Sequence, residues 1–153
     1  MAIKKILHDT ETFKFYNANP KDKRSSDCVL RAIATATGLS WDDVLDGLVS
    51  YAHIYKEMPN DPKCYGKYLE AQGFVKMKQP RKDDNTKYTG SEFCTYCSVN
   101  YTNGEHIVAH IGGHHTVAIV PTYEGDGIND RYKVVDIWNS TGKTIGNYWI
   151  KRS

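Results

Sequence analysis

The sequence contains no apolar run of about 18 residues, the length that a membrane-spanning helix requires. Residues 1–8 also lack the long apolar stretch and the small-residue cleavage site of a secretory signal peptide. We therefore expect a chain that has no membrane partner and works in the cytoplasm.

An excess of charge of one sign is also missing. The chain has 20 Lys and Arg residues against 18 Asp and Glu residues, a net charge of +2, which argues against nucleic acid as the main partner. Its 40% hydrophobic and 25% charged residues are usual for a globular protein. A length of 153 residues suits one core, so we predict a single domain over residues 1–153. The pattern specifies no oligomeric state.

Cysteines are few, with four in the chain, and in a cytoplasmic protein we expect thiols or metal ligands rather than disulfides. Cys94 and Cys97 form a C-x-x-C pair. His106 and His110 follow it, so the set resembles a zinc site. However, residues 106–110 have a strand pattern, and residues four apart on a strand lie about 13 Å apart, too far to chelate one ion. We therefore expect neither a metal nor a cofactor, and we keep the zinc set as a minor alternative.

Hydrophobic periodicity predicts helices first and strands afterwards. Helices are predicted over residues 27–37, 41–55, 61–73 and 91–97, with Ser25 or Ser26 as the cap of the first. Strands are predicted over residues 13–16, 74–77, 107–111, 115–120, 132–137 and 148–150. A tight hairpin turn is predicted at residues 112–113 and a looser one at residues 124–130. This order indicates an α+β fold with an antiparallel sheet.

Cys28 is a candidate nucleophile because it lies in the first turn of the predicted helix 27–37. Unpaired N–H groups and the positive end of the helix dipole favour a thiolate at that position. The same N–H groups can contribute to an oxyanion hole. The alternative interpretation is an inert core cysteine.

A thiolate nucleophile needs a base, and the base needs an orienting group. His115 begins a predicted strand, and Asp136 lies near the end of the next one. Strands joined by a hairpin run antiparallel, so the start of one lies beside the end of the other. We therefore expect His115 and Asp136 at the same edge of the sheet. The neighbouring His114 is the alternative base, although its side chain would point to the opposite face of the strand.

The order of a helix-borne Cys, a strand-borne His and an Asp on the next strand resembles the papain-like cysteine peptidase superfamily. The segments that carry the resemblance are S-D-C-V-L-R-A-I at 26–33, G-H-H-T-V-A-I at 113–119 and V-D-I-W-N-S at 135–140. They also resemble small papain-like proteins of bacteria and their phages. The resemblance implies a nucleophile helix packed on a C-terminal antiparallel sheet. It further implies Cys28 as nucleophile, His115 as general base and acid, and Asp136 as orienting group.

The chain departs from papain at two positions. Papain has Asn in the third role, so Asn139, which follows Trp138, is a rival to Asp136. Papain also has an oxyanion Gln shortly before its nucleophile, and this chain has none there. Asn19 is the nearest upstream amide and the candidate for that role, beside the backbone N–H of Cys28.

These features predict a cysteine hydrolase that cleaves a peptide, isopeptide or other amide bond of a protein or peptide substrate through an acyl-enzyme. Two alternatives use the same scaffold. One is an acyltransferase on the same triad. The other is a binding or inhibitor module without turnover, for example a phage protein that acts on a host factor. We expect residues 79–90 and 121–131 to border the cleft.

Overall fold

The computed structural model describes residues 9–123 and 131–152. Its helices are α1 (Cys28–Thr37), α2 (Trp41–Tyr55), α3 (Pro62–Ala71) and α4 (Gly90–Asn100). Its strands are β1 (Phe13–Phe15), β2 (Val75–Met77), β3 (His106–Ile111), β4 (His115–Thr122), β5 (Arg131–Asp136) and β6 (Ile145–Lys151). The predicted α+β class is confirmed, whereas the predicted turn at residues 124–130 lies outside the described residues.

Local signals explain most helix ends. Helix α1 stops at Gly38, whose φ of 77° lies in the left-handed region that glycine adopts without strain. The Ser40 hydroxyl accepts a hydrogen bond from the first turn of α2 at 3.0 Å. Pro62 occupies the first turn of α3, where its missing N–H costs nothing. Thr89 and Glu92 form a reciprocal capping box at the start of α4.

The start of α1 differs from the prediction. Ser25 and Ser26 are exposed, and Asp27 occupies the N-cap position instead. The Asp27 side chain does not cap this helix, because its carboxylate is bound to other groups. The predicted serine cap is therefore wrong, and the first turn of α1 keeps its amide groups uncapped.

The six strands form one sheet in the order β1-β5-β4-β3-β6-β2. All neighbouring pairs are antiparallel except β1 and β5, which run parallel. Strands β3 and β4 form the predicted hairpin, with Ile111 paired to His115 across the turn. Because β4 and β5 are also antiparallel, the start of β4 and the end of β5 lie at the same end of the sheet.

Helices cover both faces of the sheet. Successive side chains of a strand point to opposite faces, so each strand contributes to both layers of packing. On one face, α1, α2 and α3 pack against residues such as Val108, Ala118 and Trp149. On the other face, α4 packs against residues such as Ile107 and Ile119. The first face holds the start of α1, so it also holds the candidate nucleophile. No helix in the described ranges is long and apolar enough to cross a bilayer.

Candidate active site

Three residues that are distant in sequence meet at one end of the sheet. Cys28 is the first residue of α1, His115 the first of β4 and Asp136 the last of β5. Nε2 of His115 lies 2.5 Å from Oδ2 of Asp136. His115 also acts on Cys28, because it lowers the pKa of that thiol, and the two residues line the same cleft. Since Nε2 is bound to Asp136, Nδ1 is the ring nitrogen that remains for the thiol.

The protonation preferences of this pair are shifted in opposite directions. Burial raises the pKa of the Cys28 thiol, but hydrogen bonds from His115 and the Thr116 backbone, with the charges of His115 and Arg31, bring it below its ordinary value. Burial lowers the pKa of His115, but its contacts with Asp136 and Cys28 raise it to about 9. Because the two groups titrate together, both shifts favour a thiolate–imidazolium pair.

The Asp136 carboxylate is buried and uses both of its oxygens. One oxygen accepts from His115, and the other contacts Nη1 of Arg31. Nε of Arg31 in turn lies 2.8 Å from Oδ1 of Asp27. Asp136, Arg31 and Asp27 therefore form a network of ion pairs that extends beyond the predicted triad.

Asn19 does not occupy the predicted oxyanion position. Its Nδ2 donates to Oδ2 of Asp27 at 3.1 Å, and its Oδ1 accepts from the backbone N–H of Lys21 at 2.9 Å. Asn19 is buried and lines a different cavity from the one at Cys28. Since both polar ends of its side chain are engaged, this prediction is wrong. Asn19 instead helps to hold Asp27.

Asn139 is not the third member of the triad. Its Oδ1 accepts hydrogen bonds from the backbone N–H and the hydroxyl of Thr141, at 3.0 and 2.6 Å. The side chain is exposed and stabilises its own turn. Asp136 holds the position beside His115 because it ends β5 next to the start of β4.

An open cleft of about 630 Å³ leads to Cys28. Its walls are Ser25, Ser26, Cys28, Val29, Arg31, Asn60, Pro62, His110, Gly113, His114, His115, Thr116, Ile137 and Trp138. The Trp138 ring is 40% exposed and its centroid lies 4.8 Å from that of His115, so it covers the imidazole from one side. His114 is exposed at the rim, which leaves His115 as the residue that reaches both partners.

The cleft lacks one of its two predicted borders, residues 79–90. Among the described residues that line it, none belongs to 79–90 or 121–131. Its walls come from the α2–α3 loop, the β3–β4 hairpin and the segment after β5. The expectation is therefore wrong for residues 79–90, because it followed chain order, whereas residues 124–130 of the second loop lie outside the described residues.

The minor zinc alternative is also wrong, because the sheet separates its members. Cys94 and Cys97 are fully buried in the core on the α4 face. On the other face, Nδ1 of His106 donates to the carbonyl of Ala36 at 2.6 Å, and His110 bonds to the side chain of Tyr65 in α3. Within residues 9–123 and 131–152, no group of three His, Cys, Asp or Glu side chains is placed to hold a metal.

Sequence reasoning missed Asp27 and Arg31. A signal was present, because the two residues are four apart on an otherwise apolar helix and therefore share one face. Charged side chains on the buried face of a helix are rare unless they are paired. That rule would have predicted their mutual contact, although not the contact of Arg31 with Asp136.

Comparisons with known proteins do not assign this chain to a family. No protein-family model matches the chain, and neither a curated protein nor a solved structure shows significant similarity to it.

Proposed function

We propose that this protein is a papain-like cysteine hydrolase that cleaves an amide bond, either a peptide or an isopeptide bond, in a protein or peptide substrate. The observation that carries the proposal is the arrangement of three side chains at the base of the cleft. Cys28 and His115 line the same cleft, His115 lowers the pKa of the Cys28 thiol, and Nε2 of His115 lies 2.5 Å from Asp136. This is the arrangement of nucleophile, base and orienting group that acyl transfer requires.

The electrostatics support the same conclusion. A lowered thiol pKa beside a raised imidazole pKa favours the thiolate–imidazolium pair over the neutral thiol and imidazole. The two groups come from α1 and β4, so the fold holds them together across 87 residues of sequence distance. Perturbed titratable groups in an open cleft are typical of functional sites.

In the first half of the reaction, the Cys28 sulfur attacks the carbonyl carbon and forms a C–S bond. Electrons move to the carbonyl oxygen, giving a tetrahedral oxyanion. When this intermediate collapses, His115 gives its proton to the leaving nitrogen and the C–N bond breaks. The products are a free amine, a thioester at Cys28 and a neutral imidazole.

In the second half, neutral His115 takes a proton from water, and the resulting hydroxide attacks the thioester. The C–S bond breaks, the carboxylic acid is released and gives its proton to bulk water, and the thiolate–imidazolium pair is restored. Asp136 stays ionised throughout in this scheme. It orients the ring and stabilises its positive charge.

The first turn of α1 supplies backbone amides for an oxyanion hole. Cys28 is the first helical residue, and the side chain of the N-cap residue Asp27 does not cap the helix. Amide groups of an uncapped first turn are available to a developing negative charge, and the helix dipole favours that charge. The backbone N–H of Cys28 therefore takes the role first considered for Asn19.

The architecture supports the papain-like assignment in the same way. The nucleophile helix packs against a mostly antiparallel sheet, and the base and its orienting group lie on neighbouring strands of that sheet. The four cysteines are all free thiols, which suits a reducing compartment such as the cytoplasm.

The proposal is tested with a peptide library and mass spectrometry of the products, using wild type, Cys28→Ala and Cys94→Ala. We expect turnover and a thioester-linked intermediate in wild type and Cys94→Ala. Cys28→Ala should lose both while keeping its circular dichroism spectrum. Undiminished cleavage by Cys28→Ala would refute the proposal.

Added amines separate hydrolysis from acyl transfer. A hydrolase releases the acid whether or not amines are present. An acyltransferase gives an amide product as the amine concentration rises. Absence of any product, together with an unreactive Cys28 of ordinary thiol pKa, would indicate a binding module instead.

A further inference from the structure

A buried arginine stands directly behind the candidate triad. Arg31 lies one turn after Cys28 on α1 and is 6% exposed. Its Nη1 contacts Oδ1 of Asp136, and its Nε lies 2.8 Å from Oδ1 of Asp27. The guanidinium therefore bridges two buried carboxylates, one of which holds His115.

This bridge needs the shape of an arginine. The planar guanidinium presents several N–H groups in fixed directions, so it can serve two carboxylates at once. A lysine ammonium carries the same charge as a single point and cannot reproduce both directions. One arm of Arg31 thus fixes the Asp136 oxygen that His115 does not use.

The far end of the bridge is also held. Oδ2 of Asp27 accepts from Nδ2 of Asn19 at 3.1 Å and from Nε1 of Trp41 at 3.0 Å. With Arg31 on the other oxygen, no oxygen of Asp27 is left to cap α1, although an N-cap aspartate normally stabilises a helix. The carboxylate anchors Arg31 instead of the helix.

Stability alone is a weak reason for such a network. Buried ion pairs contribute little beyond what well-packed apolar residues of the same volume contribute. Here the network forgoes a helix cap as well, and its last member contacts the imidazole of the candidate base. These features indicate a role in the site rather than in the core.

We propose that Arg31 is a positioning residue, which aims the Asp136 carboxylate at His115 and is itself anchored by Asp27. The catalytic consequence rests on the proposed hydrolase function. The effect on Cys28 does not, because the reactivity of a thiol is measured without a substrate.

The groups that face Cys28 determine the sign of the expected change. His115 faces it from β4, Arg31 from its own helix and Tyr65 from α3. The rings of His110 and His114 line the same cleft. Among these groups, the fixed positive charge of Arg31 favours the thiolate.

Asp136 and Asp27 stand behind these groups and are bound to Arg31. Loss of the Arg31 charge should raise the pH midpoint of thiolate formation, because a stabilising cation is gone. Loss of the Asp27 charge should lower that midpoint, because Arg31 is then less neutralised.

The experiment measures the rate of Cys28 alkylation by iodoacetamide between pH 4 and 10. We expect Arg31→Met to raise the midpoint by about one pH unit, which lowers the rate at pH 6 about tenfold. Asp27→Asn should lower the midpoint by about half a unit. Arg31→Lys should keep the midpoint within about 0.3 unit of wild type while losing most turnover, because the charge remains and the bridge does not.

Controls separate this effect from general damage. Cys28→Ser identifies the labelling signal that belongs to Cys28. Lys82→Met removes a positive charge from an ion pair with Glu92 and should leave the midpoint unchanged. If Arg31→Met fails to fold, Arg31→Lys and Asp27→Asn still test the inference. A purely structural role predicts lower stability in Asp27→Asn with an unmoved midpoint, and in Arg31→Lys a loss of turnover no larger than its loss of folded protein.

The outcomes distinguish the two proposals. If wild type shows an acid-shifted midpoint but Asp27→Asn leaves it unmoved or raises it, the role of Arg31 is overturned and the hydrolase proposal stands. If the wild-type midpoint is that of an ordinary thiol, both are overturned. Opposite shifts in Arg31→Met and Asp27→Asn support the positioning role.

Discussion

The two faces of the sheet hold cysteines in very different environments. On the first face, Cys28 begins α1 at the base of an open cleft and contacts His115. On the other face, Cys94 and Cys97 lie within α4 and have no exposed surface. Both helices pack on the same strands, so the contrast comes from the immediate surroundings of each sulfur.

On the α4 face, burial determines the pKa of the thiols. On the other face, different contacts outweigh the effect of burial on the thiol pKa. Burial raises the pKa of Cys94 to about 12 and that of Cys97 further still. Cys28 experiences burial too, but the hydrogen bonds and charges around it reverse the direction of the shift. The comparison teaches that partners at a helix start determine thiol chemistry here. The C-x-x-C motif is a pair of core residues.

The strongest test of this comparison is selective alkylation of the folded protein. We expect iodoacetamide to modify Cys28 at least about a thousand times faster than Cys94 or Cys97, which react only after unfolding. Peptide mapping by mass spectrometry follows each site, and labelling in denaturant gives the reference rates. Similar rates at the three cysteines in the folded protein would remove the contrast.

Removal of the imidazole should erase the advantage of Cys28. In His115→Ala, the thiol loses its hydrogen bond and the adjacent positive charge, so we expect alkylation at pH 6 to fall about a hundredfold. The rate should recover above about pH 9, where an ordinary thiol ionises. His106→Ala is the control, because that ring bonds to the Ala36 carbonyl away from the cleft. A rate at pH 6 that survives His115→Ala would contradict the assignment.

On the α4 face, a cysteine substitution should change stability and nothing else. We expect Cys97→Ala to lower the free energy of unfolding by about 1–3 kcal/mol, because it leaves a small cavity in the core. Urea denaturation measures this loss. The alkylation rate of Cys28 should stay within about twofold of wild type. A larger change in a folded variant would show that the two faces are coupled.

The smallest effect is expected from the aromatic cover of the base. The Trp138 ring lies against the imidazole, and a cation beside an aromatic face gains about 0.5–1 kcal/mol at a partly exposed site. Trp138→Ala should therefore lower the pKa of His115 by about half a unit from its value near 9. An NMR titration of the ring measures the shift, with Tyr123→Ala as an exposed aromatic control. An unchanged titration would show that Trp138 only fills space.

Local signals in the sequence predicted much of the fold. Ser40, Pro62 and Gly38 mark helix ends because they act on backbone groups within one turn. The paired glycines of the β3–β4 turn predict that His115 begins β4, and the hairpin rule then predicts its position beside Asp136, where the structure has it.

Contacts between distant segments were not predictable in this way. The parallel pairing of β1 with β5 joins segments more than a hundred residues apart, and no local pattern specifies it. Asn19 was a plausible amide by position, yet the folded chain holds it on Asp27. The bridge from Arg31 to Asp136 has the same origin. Asn139 differs, because its partner Thr141 is only two positions away and the contact stabilises a local turn.

The sequence by itself determined the order of helices and strands, and with it the meeting of His115 and Asp136 at one end of a sheet. Periodicity, caps and turn residues act over a few positions, so they are readable along the chain. Only the tertiary structure decided which buried charges face one another and which sulfur lies in a cleft. Those properties depend on distances between segments and on exclusion of water, and neither is encoded by any single stretch of residues.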